Sequence, residues 1–323
     1  MMRQLDHLEG SPQDGRPLHL AVGMFDGVHR GHQAVIGAAI QSARQSGGKS
    51  AVLTFWPHPS RIFRPDNPTR MISSPEIKVS FLEAMGVDYL VQQPFDTHFS
   101  EMEAESFPAF LKTACPDVDS IFIGENFRFG KGRRGDVDLL IEMEKTSQLH
   151  VVSAPRIRFN GMPVSSTRIR EALEAGRLEE ANQMLGYPYF SLGVVKSGNQ
   201  KGSEMGFPTL NMAWDPECRP ALGVYAVTVV PWDPAQPQGR LHPRPSTGLA
   251  GVANFGLRPT VGDLIAPLVE VHLLQEKVTL GQGDRLKVEW HRFLRPERKF
   301  ENFEALREQI AKDEEQACRF FGI

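Results

Sequence analysis

Cysteine is scarce in this chain, three residues in 323, and Cys115, Cys218 and Cys318 stand far apart without metal-ligand spacing. A disulfide framework is thereby excluded, and a reducing compartment is expected. Long apolar runs are missing too. None approaches the ~20 residues of a membrane-spanning helix. The polar segment Met1–Pro17 lacks the apolar stretch of a secretory signal. A cytoplasmic protein without a membrane partner is the expectation. Positive charge is not in surplus, the net charge being −3, so no basic surface argues for a nucleic-acid partner. One local cluster, Lys131, Arg133 and Arg134, reads as phosphate contacts or as a solvated loop. Heptads, low-complexity tracts and internal repeats are also absent.

What is present has two rhythms, and the length suffices for two cores. From Leu18 to about Leu185 strand and helix alternate. Apolar runs at Leu18–Val22, Ala51–Phe55, Tyr89–Val91, Ile121–Ile123 and Val151–Val152 read as strands buried on both faces. Helical patterns at Gln33–Ala43, Glu76–Met85, Glu105–Thr113 and Val137–Thr146 lie between them. The implied fold is α/β, a doubly wound parallel sheet with ligands beyond the carboxyl ends of its strands. After Gly186 the chain reads as β, at Phe190–Lys196, Val224–Val230, Gly248–Asn254, Leu268–Leu274 and Leu286–Phe293. An amphipathic helix with Phe303, Leu306, Ile310, Ala317 and Phe320 at helical spacing follows. Antiparallel strands with one covering helix point to a small closed β-barrel. The expected domains are residues 1–185 and 186–323.

The densest chemistry lies between the first strand and the first helix, in Gly23-Met24-Phe25-Asp26-Gly27-Val28-His29-Arg30-Gly31-His32. A helix N-terminus gathers anions through its free N–H groups and its dipole. Gly27 and Gly31 let backbone and phosphate approach closely. His29 and His32 can donate ring N–H bonds to charge building on a phosphorus under attack. H-x-G-H in this setting resembles the nucleotidyltransferase superfamily. Val164-Ser165-Ser166-Thr167-Arg168-Ile169-Arg170 opens a second helix, expected at Arg168–Ala175. Ser166 or Thr167 could act simply as N-cap. Two arginines in a first helical turn oppose the dipole, which a phosphate partner would explain. The segment is similar to the S-S-T-x-x-R element of the same superfamily, which binds the triphosphate from the opposite side. Its arginine falls on Arg170, with Arg168 beside it.

In the β half, Gly198, Gly202 and Gly206 stand four apart in a loop able to wrap phosphates, or to turn a barrel corner. It is not a Walker A loop. Pro208-Thr209-Leu210-Asn211 follows. In extended backbone Thr209 and Asn211 point the same way, so a hydroxyl and an amide carbonyl can share Mg²⁺ with ATP phosphates.

Together these segments resemble the family of bacterial riboflavin kinases joined to FAD synthetases, from Leu18 to the C-terminus. The marks in the first half are G-M-F-D-G-V-H-R-G-H, F-W-P-H-P, G-E-N-F-R-F-G and S-S-T-R-I-R-E-A-L. Those in the second are G-F-P-T-L-N, G-V-Y-A-V, G-V-A-N-F-G-x-R-P-T, V-E-V-H-L and F-L-R-P-E-R-K-F. The resemblance implies that riboflavin and ATP give FMN, and that FMN and ATP give FAD and pyrophosphate. It implies catalysis by His29 and His32, with Gly23, Phe25, Asp26, Gly27, Gly31, Asn126, Ser166, Thr167, Arg168 and Arg170 at the nucleotide. For the kinase it implies ATP at Gly198, Gly202, Gly206 and Pro208, Mg²⁺ at Thr209 and Asn211, and flavin at Asn254 and Arg295. Glu270 falls on the family's catalytic carboxylate, and a primary alcohol acceptor benefits from such a base. By alternation Glu270 shares a face with Leu268, His272 and Leu274.

Two departures stand out. The family's P-T-A-N reads Pro-Thr-Leu-Asn, and Gln275–Arg285 lacks the acidic residue and the D-L-Y-G that usually follow the strand. A single-activity FAD synthetase whose barrel only binds flavin is an alternative reading, as is a flavin-binding module without turnover. The intact H-x-G-H and S-S-T elements argue against the module.

Overall fold

The computed structural model describes residues 2–197, 206–233, 248–259, 265–275 and 280–323. By their contacts these fall into two units. One holds the residues up to Met71 and Pro75–Ser165; the other holds Ile72–Ser74 and the described residues from Ser166 onward.

The first unit is built on a six-stranded parallel sheet of order β1-β4-β3-β2-β5-β6. Its strands are β1 Arg3–Leu5, β2 Leu18–Val22, β3 Lys49–Trp56, β4 Tyr89–Pro94, β5 Val118–Gly124 and β6 His150–Ala154. The chain steps from β2 to β3 and β4 on one side, then crosses to β5 on the other. The topological switch point, where such sheets bind ligands, therefore lies beyond the carboxyl ends of β2 and β5. Helix α1, Arg30–Ser46, buries Val35, Ile36, Ala39, Ile40 and Ala43 on one stripe and ends at Gly47 in the left-handed region. It begins three residues before the expected Gln33, because His29 caps it.

Two expectations need correction here. Strand β1, in the polar N-terminal segment, was not expected and pairs with β4. The run Val151–Val152 is not buried on both faces. It lies in edge strand β6 with Val152 40% exposed, because no strand pairs with it on that side.

The second unit is a closed antiparallel barrel of order β10-β13-β12-β11-β14-β9. Its strands are β9 Tyr189–Lys196, β10 Thr209–Ala213, β11 Gly223–Pro231, β12 Leu249–Pro259, β13 Ile265–Leu273 and β14 Arg285–Pro296. Closure pairs every edge. The hairpin β7 Arg158–Phe159 and β8 Met162–Pro163 belongs to the first unit. Tyr225, Phe255, Trp290, Val227, Val269, Val271 and Val288 are buried. Trp290 meets Trp214 and Tyr225 edge-on, and its indole N–H donates to Ser191 at 3.1 Å.

Two short helices, Ser166–Glu174 and Leu178–Leu185, cluster with the barrel rather than with the parallel sheet. The Asn182 amide ties them there, donating to the Trp290 carbonyl at 2.8 Å while its oxygen accepts from Tyr189 N–H.

The C-terminal helix Phe303–Phe321 is present as expected, and its stripe holds in part, with Ala317 buried and Phe320 packed against the cluster of Val224, Ala226 and Val252. Phe303 is 72% exposed, and the buried positions are Gln309, Asp313 and Ala317. Asp313 accepts two hydrogen bonds from Arg295 Nε and one from Nη2, at 2.7–3.0 Å. A fixed guanidinium fork, rather than a wholly apolar stripe, therefore docks this helix.

Candidate active sites

In the first unit the loop after β2 folds the two histidines together. His29 is the N-cap of α1, and its Nδ1 accepts a bond from His32 N–H at 3.3 Å. As the acceptor of that bond Nδ1 carries no proton, which places the ring N–H on Nε2. The His29 and His32 rings stack at 3.5 Å between centroids, and Phe25 meets His32 edge-on at 5.3 Å. A Cβ at Gly31 would sit 3.2 Å from the His29 ring, so glycine there gives the capping ring its room. The turn has φ values of 49° at Phe25, 75° at Gly27 and 33° at Val28. Positive φ is a rare conformation for a β-branched residue. Several bonds hold it. Val28 O accepts from Gln33 Nε2 at 2.8 Å, and Met24 O accepts from Thr54 Oγ1 at 3.1 Å and from Lys78 Nζ at 3.0 Å. Asp26 is buried, and its charge acts on Lys78. Gly23 ends β2 against the Phe25 ring.

Asn126 is exposed in the loop after β5, across the same switch point. Of the basic cluster farther along that loop, Lys131 pairs with Glu101 and Arg134 with Glu103. All three cations are exposed. The sequence reading missed an aromatic chain along this end of the sheet. Successive ring contacts of 5.1–6.4 Å run Phe63, Phe95, Phe99, Phe110, Phe107, Phe129 and Phe127. Phe63 at its start is 62% exposed. The only signal in the sequence was the number of phenylalanines, 20 in all, and no regular spacing joins these seven.

Of the S-S-T residues, Ser165 closes the first unit while Ser166 and Thr167 open the second. Their helix starts at Ser166 rather than Arg168, so Ser166 and Thr167 occupy its first turn. Thr167 is exposed, Ser166, Arg168 and Arg170 are half-buried, and Arg168 lies 3.6 Å from Glu180.

On the barrel the candidate residues meet through register. Asn211 of β10 stands opposite Glu270 of β13, which stands opposite Asn254 of β12. The row continues through Val224 of β11 to Arg295 of β14. Directly opposed residues share a face, with Cβ atoms about 4.5–5.5 Å apart. Since Val269 and Val271 are buried on either side of Glu270, this row faces outward. Arg295 lies at its far end, with its guanidinium paired with Asp313 of the C-terminal helix. Asn254 donates weakly to Glu297 at 3.4 Å.

Thr209 stands opposite His272, one step along the same face. His272 bridges two elements, its Nδ1 bonding Pro208 O at 2.9 Å and its Nε2 bonding Glu314 at 2.8 Å. The Asn211 Nδ2 group turns to Thr209, 3.3 Å from its carbonyl and 3.5 Å from its hydroxyl. That leaves Asn211 Oδ1 and the Thr209 hydroxyl as hard oxygen donors on one face. Among the described residues no cluster of three or more His, Cys, Asp and Glu could hold a metal by itself. The donor set fits a cation shared with substrate phosphates, as Mg²⁺ commonly is. Gly206 is exposed with φ 88°. Gly198 and Gly202 lie outside the described residues, as does 276–279 within the divergent segment.

The FAD synthetase family model matches residues 11–168 and the riboflavin kinase model residues 185–321. The bifunctional riboflavin kinase/FMN adenylyltransferase of Escherichia coli K12 is 34% identical over 323 residues, covering 100% of this chain and 98% of that protein. The protein of the same name from Bacillus subtilis is 33% identical over 307 residues, 94% of this chain and 92% of its own. A crystal structure described as a macrolide-efflux protein from Streptococcus pneumoniae aligns over 98% of both chains with a TM-score of 0.83 and 26% identity. No helix among the described residues here is long and apolar enough to cross a membrane. The chain belongs to the family of bifunctional riboflavin kinases/FMN adenylyltransferases.

Proposed function

We propose that the chain makes FMN on its barrel and FAD at the switch point of its parallel sheet, consuming ATP in both steps. The observation that carries this reading is that each unit holds its own polar site on its own architecture. For FAD, a phosphate oxygen of FMN attacks the α-phosphorus of ATP, and the bond to pyrophosphate breaks. The acceptor is already an anion, so no general base is needed. His29 Nε2–H, His32 and the N–H groups opening α1 stabilise the charge that builds. Gly23, Phe25, Asp26, Gly27, Gly31 and Asn126 shape the nucleotide site. The aromatic chain ending at Phe63 offers the apolar surface a planar flavin needs.

For FMN, Glu270 takes the proton of the riboflavin primary hydroxyl as its oxygen attacks the γ-phosphorus, and ADP leaves. Thr209 and Asn211 would hold the Mg²⁺ that accompanies ATP, which would neutralise phosphate charge there. Asn254 lies beside Glu270, where it can orient the acceptor. The functional boundary stands near Leu185, and three free cysteines accord with a cytoplasmic location. No nucleic-acid or membrane partner is proposed.

Incubation with riboflavin, ATP and Mg²⁺, resolved by chromatography, tests the reading. FAD arising through FMN is expected. FAD from supplied FMN but no product from riboflavin would leave a single-activity synthetase.

A further inference from the structure

We propose that Lys78 is a positioning residue for adenylyl transfer, holding the Met24 carbonyl and the buried Asp26 so that the turn Phe25–His29 presents its histidines. The inference rests on the assignment of His29 and His32 to that reaction. Lys78 lies on the buried stripe of the helix Pro75–Met85, beside Ile77, Phe81 and Leu82. It is 5% exposed. Lysine is almost never so buried unless it is paired, and an apolar side chain of equal length would fill the space without desolvating a charge. Burial pushes its ammonium below the usual lysine range, while Asp26 acts to raise it.

What Lys78 touches is the root of the strained turn. Its Nζ donates to Met24 O at 3.0 Å, and Thr54 Oγ1 donates to the same oxygen at 3.1 Å. Two donors fix the direction of that carbonyl. In a planar trans peptide the N–H of Phe25 must then point the opposite way, away from the buried donors. Phe25 itself has φ 49° and rests edge-on against His32. The path from Lys78 to the reacting groups is therefore short: Met24 carbonyl, Phe25 backbone, His32 ring. Conformations of this kind persist only where the surroundings over-determine them. Lys78 and Thr54 supply that constraint from two different elements.

The test uses the full-length chain. Lys78→Met keeps length and packing but removes the donors and the charge. FMN adenylylation turnover should fall on the order of 10²-fold, the scale of a misplaced catalytic geometry, with KM for FMN changing far less. Riboflavin phosphorylation by the same preparation should be unchanged. Because Lys78 acts through the histidine pair, Lys78→Met combined with His32→Ala should be no slower than His32→Ala alone. Multiplying losses, undiminished turnover, or a parallel fall in both activities would overturn the proposal. If His32→Ala itself left FAD formation intact, the site assignment would have failed instead, which separates the two failures. Should Lys78→Met not fold, Thr54→Val removes the other donor to Met24 O. It should give a smaller loss, again absent on top of His32→Ala, and an additive loss would count against the mechanism.

Discussion

The parallel-sheet unit and the barrel assemble their sites in opposite ways. In the parallel unit the chemistry is contiguous, ten residues from Gly23 to His32 between a strand and the helix that His29 caps. In the barrel it is distributed over several strands, and Asn211, Glu270 and Asn254 meet only because register aligns them. A loop site depends on local conformation, here the positive φ values at Phe25 and Val28. A register site depends on every strand between its members, since a one-residue slip moves a side chain to the other face. The first is fragile to changes beneath the loop, the second to changes in the barrel.

The comparison can be broken most severely at Glu270. Glu270→Gln keeps the shape of the row but removes the base, and riboflavin phosphorylation should slow by about 10²–10⁴. Adenylylation of supplied FMN should persist, since the other site is built from a different segment. Undiminished kinase turnover would reduce Glu270 to an ordinary barrel residue. His29→Ala or His32→Ala should invert the pattern. FAD formation falls about 10²–10³ for the loss of one charge-stabilising donor, while FMN formation continues. Steady-state rates for each half-reaction, measured separately, decide both.

The same contrast explains what was legible in the sequence. The H-x-G-H segment declares itself because all its members are neighbours in the chain, and β2 was readable to the residue. The role of Lys78 was hidden because its partner, Met24, is 54 residues away and a lysine on an apolar stripe reads as a stray charge. Strand β10 was not foreseen as a strand, though the extended backbone at Thr209 and Asn211 was, because five residues carry little periodicity. The first turn of the C-terminal helix was misjudged for a related reason. Spacing put Phe303 inward, but the helix is docked by Arg295 and Asp313, an ion pair no periodicity reports.

Fragments sharpen the division between the units. A fragment from Gly186 omits the helices Ser166–Glu174 and Leu178–Leu185, whose Ile169, Leu173, Leu178, Met184 and Leu185 are fully buried. It also loses the Asn182 bonds to Trp290 and Tyr189. Each fully buried apolar side chain of this size contributes about 1.5–3 kcal/mol. A fragment from Ser166 should therefore melt at a clearly higher temperature than one from Gly186. Both should bind flavin with Mg-ATP if the kinase site is complete in the barrel. Equal melting temperatures by circular dichroism would show that the two helices contribute nothing to the barrel.

The smallest expected effect is a pH dependence carried by the barrel's buried polar cluster. His291 accepts from or donates to Thr228 Oγ1 at 2.9 Å, with Glu289 at 4.0 Å, Lys287 beyond it and the rings of Phe320 and Phe321 alongside. Burial pushes the His291 imidazole down to about 4, with Glu289 opposing the shift. The unfolded chain then takes up a proton near pH 6.5 that the folded barrel refuses until about pH 4. Stability from this group is full above 6.5 and declines as pH falls towards 4, by a few kcal/mol at most. Three of the four tryptophans, Trp214, Trp232 and Trp290, lie in the barrel unit, so urea unfolding followed by tryptophan fluorescence reports chiefly on it. His291→Gln should flatten the fall in midpoint between pH 6.5 and 4.5 relative to the unsubstituted chain, leaving the profile above pH 7 parallel. An unchanged slope would mean that His291 does not hold its proton off in the folded barrel, and that the carboxylates alone carry the acid response.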